Sequence, residues 1–130
     1  MSYNTEKGSS GEREFAKFLS KTLGLDYVRV GAPEASKKIL FGDVVRRGGG
    51  FCFLDNYFLE SKKMAHPNVV DIVEEHDEKG KQYGKWGSIC YITRQEKGSK
   101  RSGTVIAMSP ETFARIARDL HGYYEQERTN

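Results

Sequence analysis

Apolar residues recur at helical spacing in the first part of the chain. Phe15, Phe18, Leu19 and Leu23 define a helix over residues 9–24, and Gly24 is a natural stop. Ser9 with Glu12 three residues later has the form of a capping box at its start. The pattern then turns to short apolar runs. Residues 26–30 predict a strand, 31–38 a loop, 39–46 a second strand and 47–50 a flexible turn. Residues 51–62 are almost continuously apolar and break only at the turn-prone pair Asp55-Asn56, which predicts one interrupted strand or two short ones. A second helix follows, capped by Asn68, with Val69, Val70, Ile72 and Val73 as its stripe and its end near Tyr83. Strands at 87–94 and 104–108 flank a basic turn, and Ser109-Pro110 opens a last helix bearing Phe113, Ile116, Ala117 and Leu120. The predicted order α-β-β-β-α-β-β-α is an α/β arrangement of the α+β kind, a mixed sheet with helices packed on it.

The 130 residues amount to one ordinary domain, 1–130. With 37% hydrophobic and 30% charged residues, the chain has material for a modest core under a polar surface. A net charge of +3 permits a polyanionic partner without demanding one. The charges are segregated. Acids crowd between Asp71 and Glu78, while Lys and Arg gather at 37–38, 46–47, 62–63 and 97–101. The acidic helix is expected to face away from any nucleic acid. Cys52 and Cys90 sit in apolar runs without a C-x-x-C pair and read as reduced core thiols of a cytoplasmic protein. Residues 1–14 are too polar for a signal peptide, and no apolar run is long enough to span a bilayer, so no membrane partner is expected. "GKQYGKWGS" at 80–88 has the wrong spacing for a phosphate loop, and Trp86 follows the lysine where Ser or Thr belongs, so no nucleotide cofactor is expected.

Candidate chemistry centres on "FLESKK" at 58–63. Alternation along a strand puts Glu60 and Lys62 on one face and Ser61 on the other. If the preceding strand pairs with this one as a hairpin, Asp43 lies near Glu60. Two neighbouring carboxylates repel and raise each other's pKa, and Mg²⁺ relieves that repulsion with one or two carboxylates and its own waters. Lys62 beside it is placed to polarise a water, which suits metal-assisted hydrolysis of a phosphodiester. The competing reading is a plain salt bridge at a strand end, Glu60 with Lys62 or Lys63. Asp77-Glu78-Lys79 repeats the acid-x-Lys pattern, but in a solvated charge run. Glu12 falls about 60° from Phe15 on a helix turning about 100° per residue, on the apolar side. It serves either the capping box or, as a third acid, the metal site. His66, His76 and His121 have no metal-ligand spacing and read as surface residues.

"GSSGEREF" at 8–15, "VRVGA" at 28–32, "FGDVV" at 41–45 and "FLESKK" at 58–63 together resemble the archaeal-type Holliday junction resolvases, a branch of the PD-(D/E)xK nuclease superfamily. The resemblance covers residues 8–63. It implies a restriction-endonuclease-like αβββαβ core with a C-terminal helix, acting as a homodimer on branched DNA. It implies Mg²⁺, with Mn²⁺ as substitute, held by Asp43, Glu60, the Ser61 carbonyl and Glu12 through water, with Lys62 as catalytic lysine. Arg13 and Arg29 become DNA contacts, and residues 31–38 a flexible loop approaching the junction. Lys37, Lys38 and Lys63 are further candidate phosphate contacts, as are Lys100 and Arg101 in the basic turn GSKRSG, for which the competing reading is a merely solvated turn. Alternatives on the same fold are a restriction-like or repair endonuclease acting on duplexes or flaps, and a non-catalytic DNA-binding module. Gly42 stands where the superfamily name has proline. The Asp43–Glu60 interval is long, and a hairpin would put Phe51, Phe53 and Leu54 near its tip, calling for a bulge or a partner subunit.

Overall fold

The computed structural model describes residues 3–31, 35–95 and 102–129, with side chains from Ser10 onward apart from Ala35 and Ser102. Helix α1 spans Tyr3–Leu23. It begins six residues before the expected start and passes through Ser9, so Glu12 lies in its interior and the capping box is not there. Gly24, at φ +69°, closes it with its N–H on the Ser20 carbonyl at 2.9 Å.

Strand β1 (Asp26–Arg29) follows. Of the expected loop at 31–38, residues 32–34 lie outside the described residues and 35–38 belong to a short helix, α2 (Ala35–Phe41), which also takes the first part of the strand expected at 39–46 and confines strand β2 to Val44–Arg47. Ile39, Leu40 and Phe41 are consecutive rather than alternating, and all three are exposed. Such a run has no face for a sheet to bury. Gly42 ends α2 at φ +100°, its N–H on the Lys38 carbonyl at 3.0 Å. A side chain there would also press on the Leu59 backbone, 3.1 Å from a Cβ. Glycine at this position is therefore a requirement of the backbone.

β1 and β2 pair antiparallel, with Arg29 opposite Val44. Arg46 fixes the following turn, donating to the carbonyls of Gly48, Gly49 and Gly50 and to both Asp55 oxygens. A 3₁₀ turn at Phe53–Asn56 marks the expected break. It puts Leu54 into the core and leaves Phe51 and Phe53 exposed. Strand β3 is Tyr57–Met64 and helix α3 Val69–Gln82, with Asn68 Oδ1 accepting the Asp71 N–H at 3.1 Å as its cap. Strands β4 (Gly87–Gln95) and β5 (Ser102–Ala107) complete a three-stranded mixed sheet in the order β3-β4-β5, parallel then antiparallel.

The expected hairpin between the strands bearing Asp43 and Glu60 does not form. Gly42 meets Leu59 in a parallel bridge, with the Asp43 N–H on the Leu59 carbonyl at 3.0 Å. On its other side the Asp43 carbonyl accepts the Val30 N–H at 2.9 Å. Residues 51–54 are consequently not a hairpin tip. Helix α4 (Pro110–Thr129) is capped by Ser109 Oγ on the Thr112 N–H at 3.1 Å. Of its expected face, Ile116 packs on the core while Phe113 and Leu120 stay exposed. Lys100 and Arg101 lie outside the described residues.

Strand β3 divides the core. Leu59 joins Phe15, Leu19, Tyr27 and Val44 under α1, and on the other face Ile72 and Val73 of α3 pack with Cys90 and Ile92. Cys52 and Cys90 are buried free thiols. No helix among the described residues is long and apolar enough to cross a membrane. Gly80 is where α3 comes closest to the sheet: a Cβ there would stand 2.7 Å from the Gly87 carbonyl oxygen. Alanine is the better helix former by ~1 kcal/mol, yet the neighbour is backbone and cannot give. Gly80→Ala is expected to destabilise the protein by about 1–3 kcal/mol in thermal melts. A melting temperature at or above wild type would contradict this packing.

Candidate active site

Alternation along β3 aims Glu60 at α3 and Ser61 back at α1, where Gly11 leaves room for it. Asp43 reaches the same point from the entry of β2. Its Oδ2 accepts the Ser61 N–H at 3.0 Å, its Oδ1 accepts from Lys38 Nζ at 3.1 Å, and its carboxyl group shares one cleft with that of Glu60. Asp43 is 6% exposed and Glu60 3%. Burial pushes the Glu60 carboxyl well above its ordinary value, and the Asp43 charge adds to the rise. Burial also raises Asp43, but hydrogen bonds from Glu60, the Ser61 N–H and Lys38 outweigh it and hold Asp43 low. The two groups titrate as a pair, with Glu60 pushed up and Asp43 held down.

Glu12 points into the same cleft from α1, only 7% exposed. Its Oε1 accepts from Lys38 Nζ at 2.8 Å and its Oε2 from Arg29 Nε at 3.2 Å. Lys38 thus bridges Glu12 and Asp43. Burial opposes its charge, but the bonds to Glu12 and Asp43 keep its pKa raised. Its ammonium occupies the space between two acids, and the third acid is held apart from the Asp43–Glu60 pair.

Lys62 lies on the Glu60 side and lines the cleft with its side chain exposed. Lys63 turns the other way, bound to Glu14 at 2.9 Å and Ser10 at 3.2 Å. The strand-end salt bridge is therefore not formed: among the described residues no lysine stands within ion-pair distance of Glu60. Arg13 and Lys37 are exposed on α1 and α2.

His76 is the residue that sequence reasoning misplaced. It is buried at 6% exposure, not on the surface, and it lines the cleft from α3. Its place four residues after Ile72 and three after Val73 continues the apolar stripe, and that spacing was the available signal. Its Nδ1 lies 3.9 Å from Glu60 Oε2, beyond hydrogen-bond range. Neither ring nitrogen has a partner, and neither has Glu60 Oε1. Burial, with the Lys62 charge second, lowers its pKa and keeps the ring neutral.

The cleft has a volume of about 470 Å³, with Glu12, Lys38, Asp43, Glu60, Lys62 and His76 among its walls. A cleft of about 490 Å³ behind β2 offers no comparable chemistry, since its one carboxylate, Asp55, is bound by Arg46. Among the described residues no three His, Cys, Asp or Glu side chains close into a ready-made metal cage. Two buried carboxyl groups on one cleft, with an orphaned oxygen, nevertheless fit a hydrated hard cation, which needs only one or two from the protein. No family model, curated protein or solved structure matches this chain.

The proton on Glu60 links the site to stability. The folded state binds it more tightly than the unfolded chain, so its contribution is complete below the ordinary glutamate value of 4.5 and is lost as pH rises through the raised value. Glu60→Gln removes the need to take up that proton on folding. In metal-free buffer at pH 8 the variant is expected to be more stable than wild type by on the order of 1–2 kcal/mol, the gap closing toward pH 4.5. A variant no more stable at pH 8, or a gap indifferent to pH, would contradict the assignment.

Proposed function

We propose that this chain is a divalent-cation-dependent endonuclease that cuts four-way DNA junctions as a homodimer. The observation that carries the reading is the convergence of two buried carboxyl groups, Asp43 and Glu60, on one cleft that Lys62 also lines. A protein that only bound DNA would have no use for paired acids beside phosphate. The four segments that resemble the archaeal-type resolvases bring Glu12, Arg29, Asp43 and Glu60 together, through polar contacts running Arg29–Glu12–Lys38–Asp43 and a cleft that Glu12, Asp43 and Glu60 line in common. Sequence distance gives no reason for that convergence, and a shared site does.

Asp43 and Glu60 would hold Mg²⁺, or Mn²⁺ in its place. When bound, the ion supplies positive charge to the phosphate and acidifies its water. The chain's own residues do the rest. Asp43 is kept ionised by the Ser61 N–H and Lys38, ready to serve as an anionic ligand. Lys62, free of any acid within ion-pair distance among the described residues, is the ammonium available to orient a water or offset charge at the scissile phosphate. Glu12 fixes the Arg29 and Lys38 side chains at the rim. Exposed Arg13 and Lys37 are suited to phosphates farther along the arm, contacts that position DNA without reading its sequence.

A second copy of the chain has an apolar surface to meet. Phe113, Leu120, Tyr123 and Tyr124 on α4 are all more than half exposed, and Val105 lies on the exposed edge strand β5. Two sites in one dimer would allow opposed nicks in one binding event. A cruciform plasmid with Mg²⁺ should therefore pass mainly to linear product. Lys62→Ala should cut slower by roughly 10²–10⁴-fold while binding an immobile junction within a few-fold of wild type. Accumulation of open circles would contradict the dimer, and unimpaired cutting by Lys62→Ala would remove the proposed site.

A further inference from the structure

The nuclease reading leaves His76 unused, and the inference drawn from it rests on that reading. Helix α3 presents Ile72, Val73, His76 and Gly80 to the sheet. An aliphatic residue at 76 would complete this face at no desolvation cost. Instead the chain buries an imidazole with both nitrogens unpartnered. An unsatisfied buried group of this kind costs about 1–3 kcal/mol, and in a native protein it calls for a ligand, a water or a catalytic reason.

The surroundings narrow the choice. Glu60 Oε1 is orphaned in the same way, and the two side chains face each other in one cleft. The 3.9 Å between His76 Nδ1 and Glu60 Oε2 lies just beyond a direct hydrogen bond, and with Nδ1 closed to solvent the Glu60 carboxyl is the group that a small turn of either side chain brings to it. Among the described residues no side chain stands in hydrogen-bond range of either orphan.

We propose that His76 is a positioning residue of the acid site. Set against Glu60 in the cleft, its ring fixes the orientation of the Glu60 carboxyl group opposite Asp43 and so prepares the pair to receive the cation. His76 acts through Glu60 and touches no reacting atom. Its role is that of the outer partners that orient metal-binding carboxylates and whose loss weakens metal affinity by roughly 10–100-fold.

Two variants separate positioning from packing. His76→Leu fills the space without polar atoms, and His76→Asn keeps an amide near the place of Nδ1. The readouts are the melting temperature of metal-free protein, the dissociation constant for Mn²⁺ by isothermal titration, and cruciform cleavage. His76→Leu is expected to melt at or above wild type and yet bind Mn²⁺ about tenfold more weakly and cut correspondingly slowly. His76→Asn is expected to recover most of both. Wild-type Mn²⁺ affinity and cleavage in His76→Leu would overturn the proposal while leaving the nuclease reading in place. So would an Asn variant no better than Leu. A wild-type protein that binds no Mn²⁺ and cuts no DNA would sink both.

Discussion

Asp43 and Glu60 face one cleft while almost wholly removed from water. Both cannot ionise there without a cation, because burial and mutual repulsion act together against the second charge. A chain selected only for stability would keep such a pair at a wet surface or replace it with an amide. Here much of the architecture is arranged to hold it. The Asp43 backbone is bonded on both sides, to Val30 and to Leu59, and Gly42 supplies the one conformation that lets α2 stop where Asp43 must start. Lys38 then lends its ammonium to Asp43 and Glu12 together.

The site is thus a junction of elements. α1 contributes Glu12, β1 Arg29, α2 Lys38, the entry to β2 Asp43, β3 Glu60 and Lys62, and α3 His76. Lys38 has a part that neither its sequence neighbourhood nor the resolvase resemblance assigns to it. It was expected on a flexible loop touching DNA, and the structure sets it on a helix inside the acid cluster. Its positive charge holds a place that a divalent ion can contest. Lys63, by contrast, is bound to Glu14 on the far side of β3.

What the sequence disclosed follows from how local each signal is. The caps at Asn68 and Ser109 are decided by residues within three positions of each other, and both are where the pattern puts them. Alternation correctly separates Glu60 and Lys62 from Ser61 and Lys63. It says nothing about which strand is the neighbour or in which direction it runs, so the parallel bridge between Gly42 and Leu59 was misread as a hairpin. Residues 3–8 lack apolar periodicity, which hid the first turns of α1. α2 was hidden because what holds it is Lys38 reaching Glu12, 26 residues away. His76 was legible as a member of the α3 stripe but not as a histidine taken singly.

The account stands on the acid pair being a cation site. Isothermal titration of Mg²⁺ or Mn²⁺ into wild type and Asp43→Asn tests this without DNA or any assumption about substrate. The expected result is saturable binding to wild type, with release of the Glu60 proton to the buffer, and no comparable binding to Asp43→Asn. Equal binding to both proteins, or none to either, would contradict it.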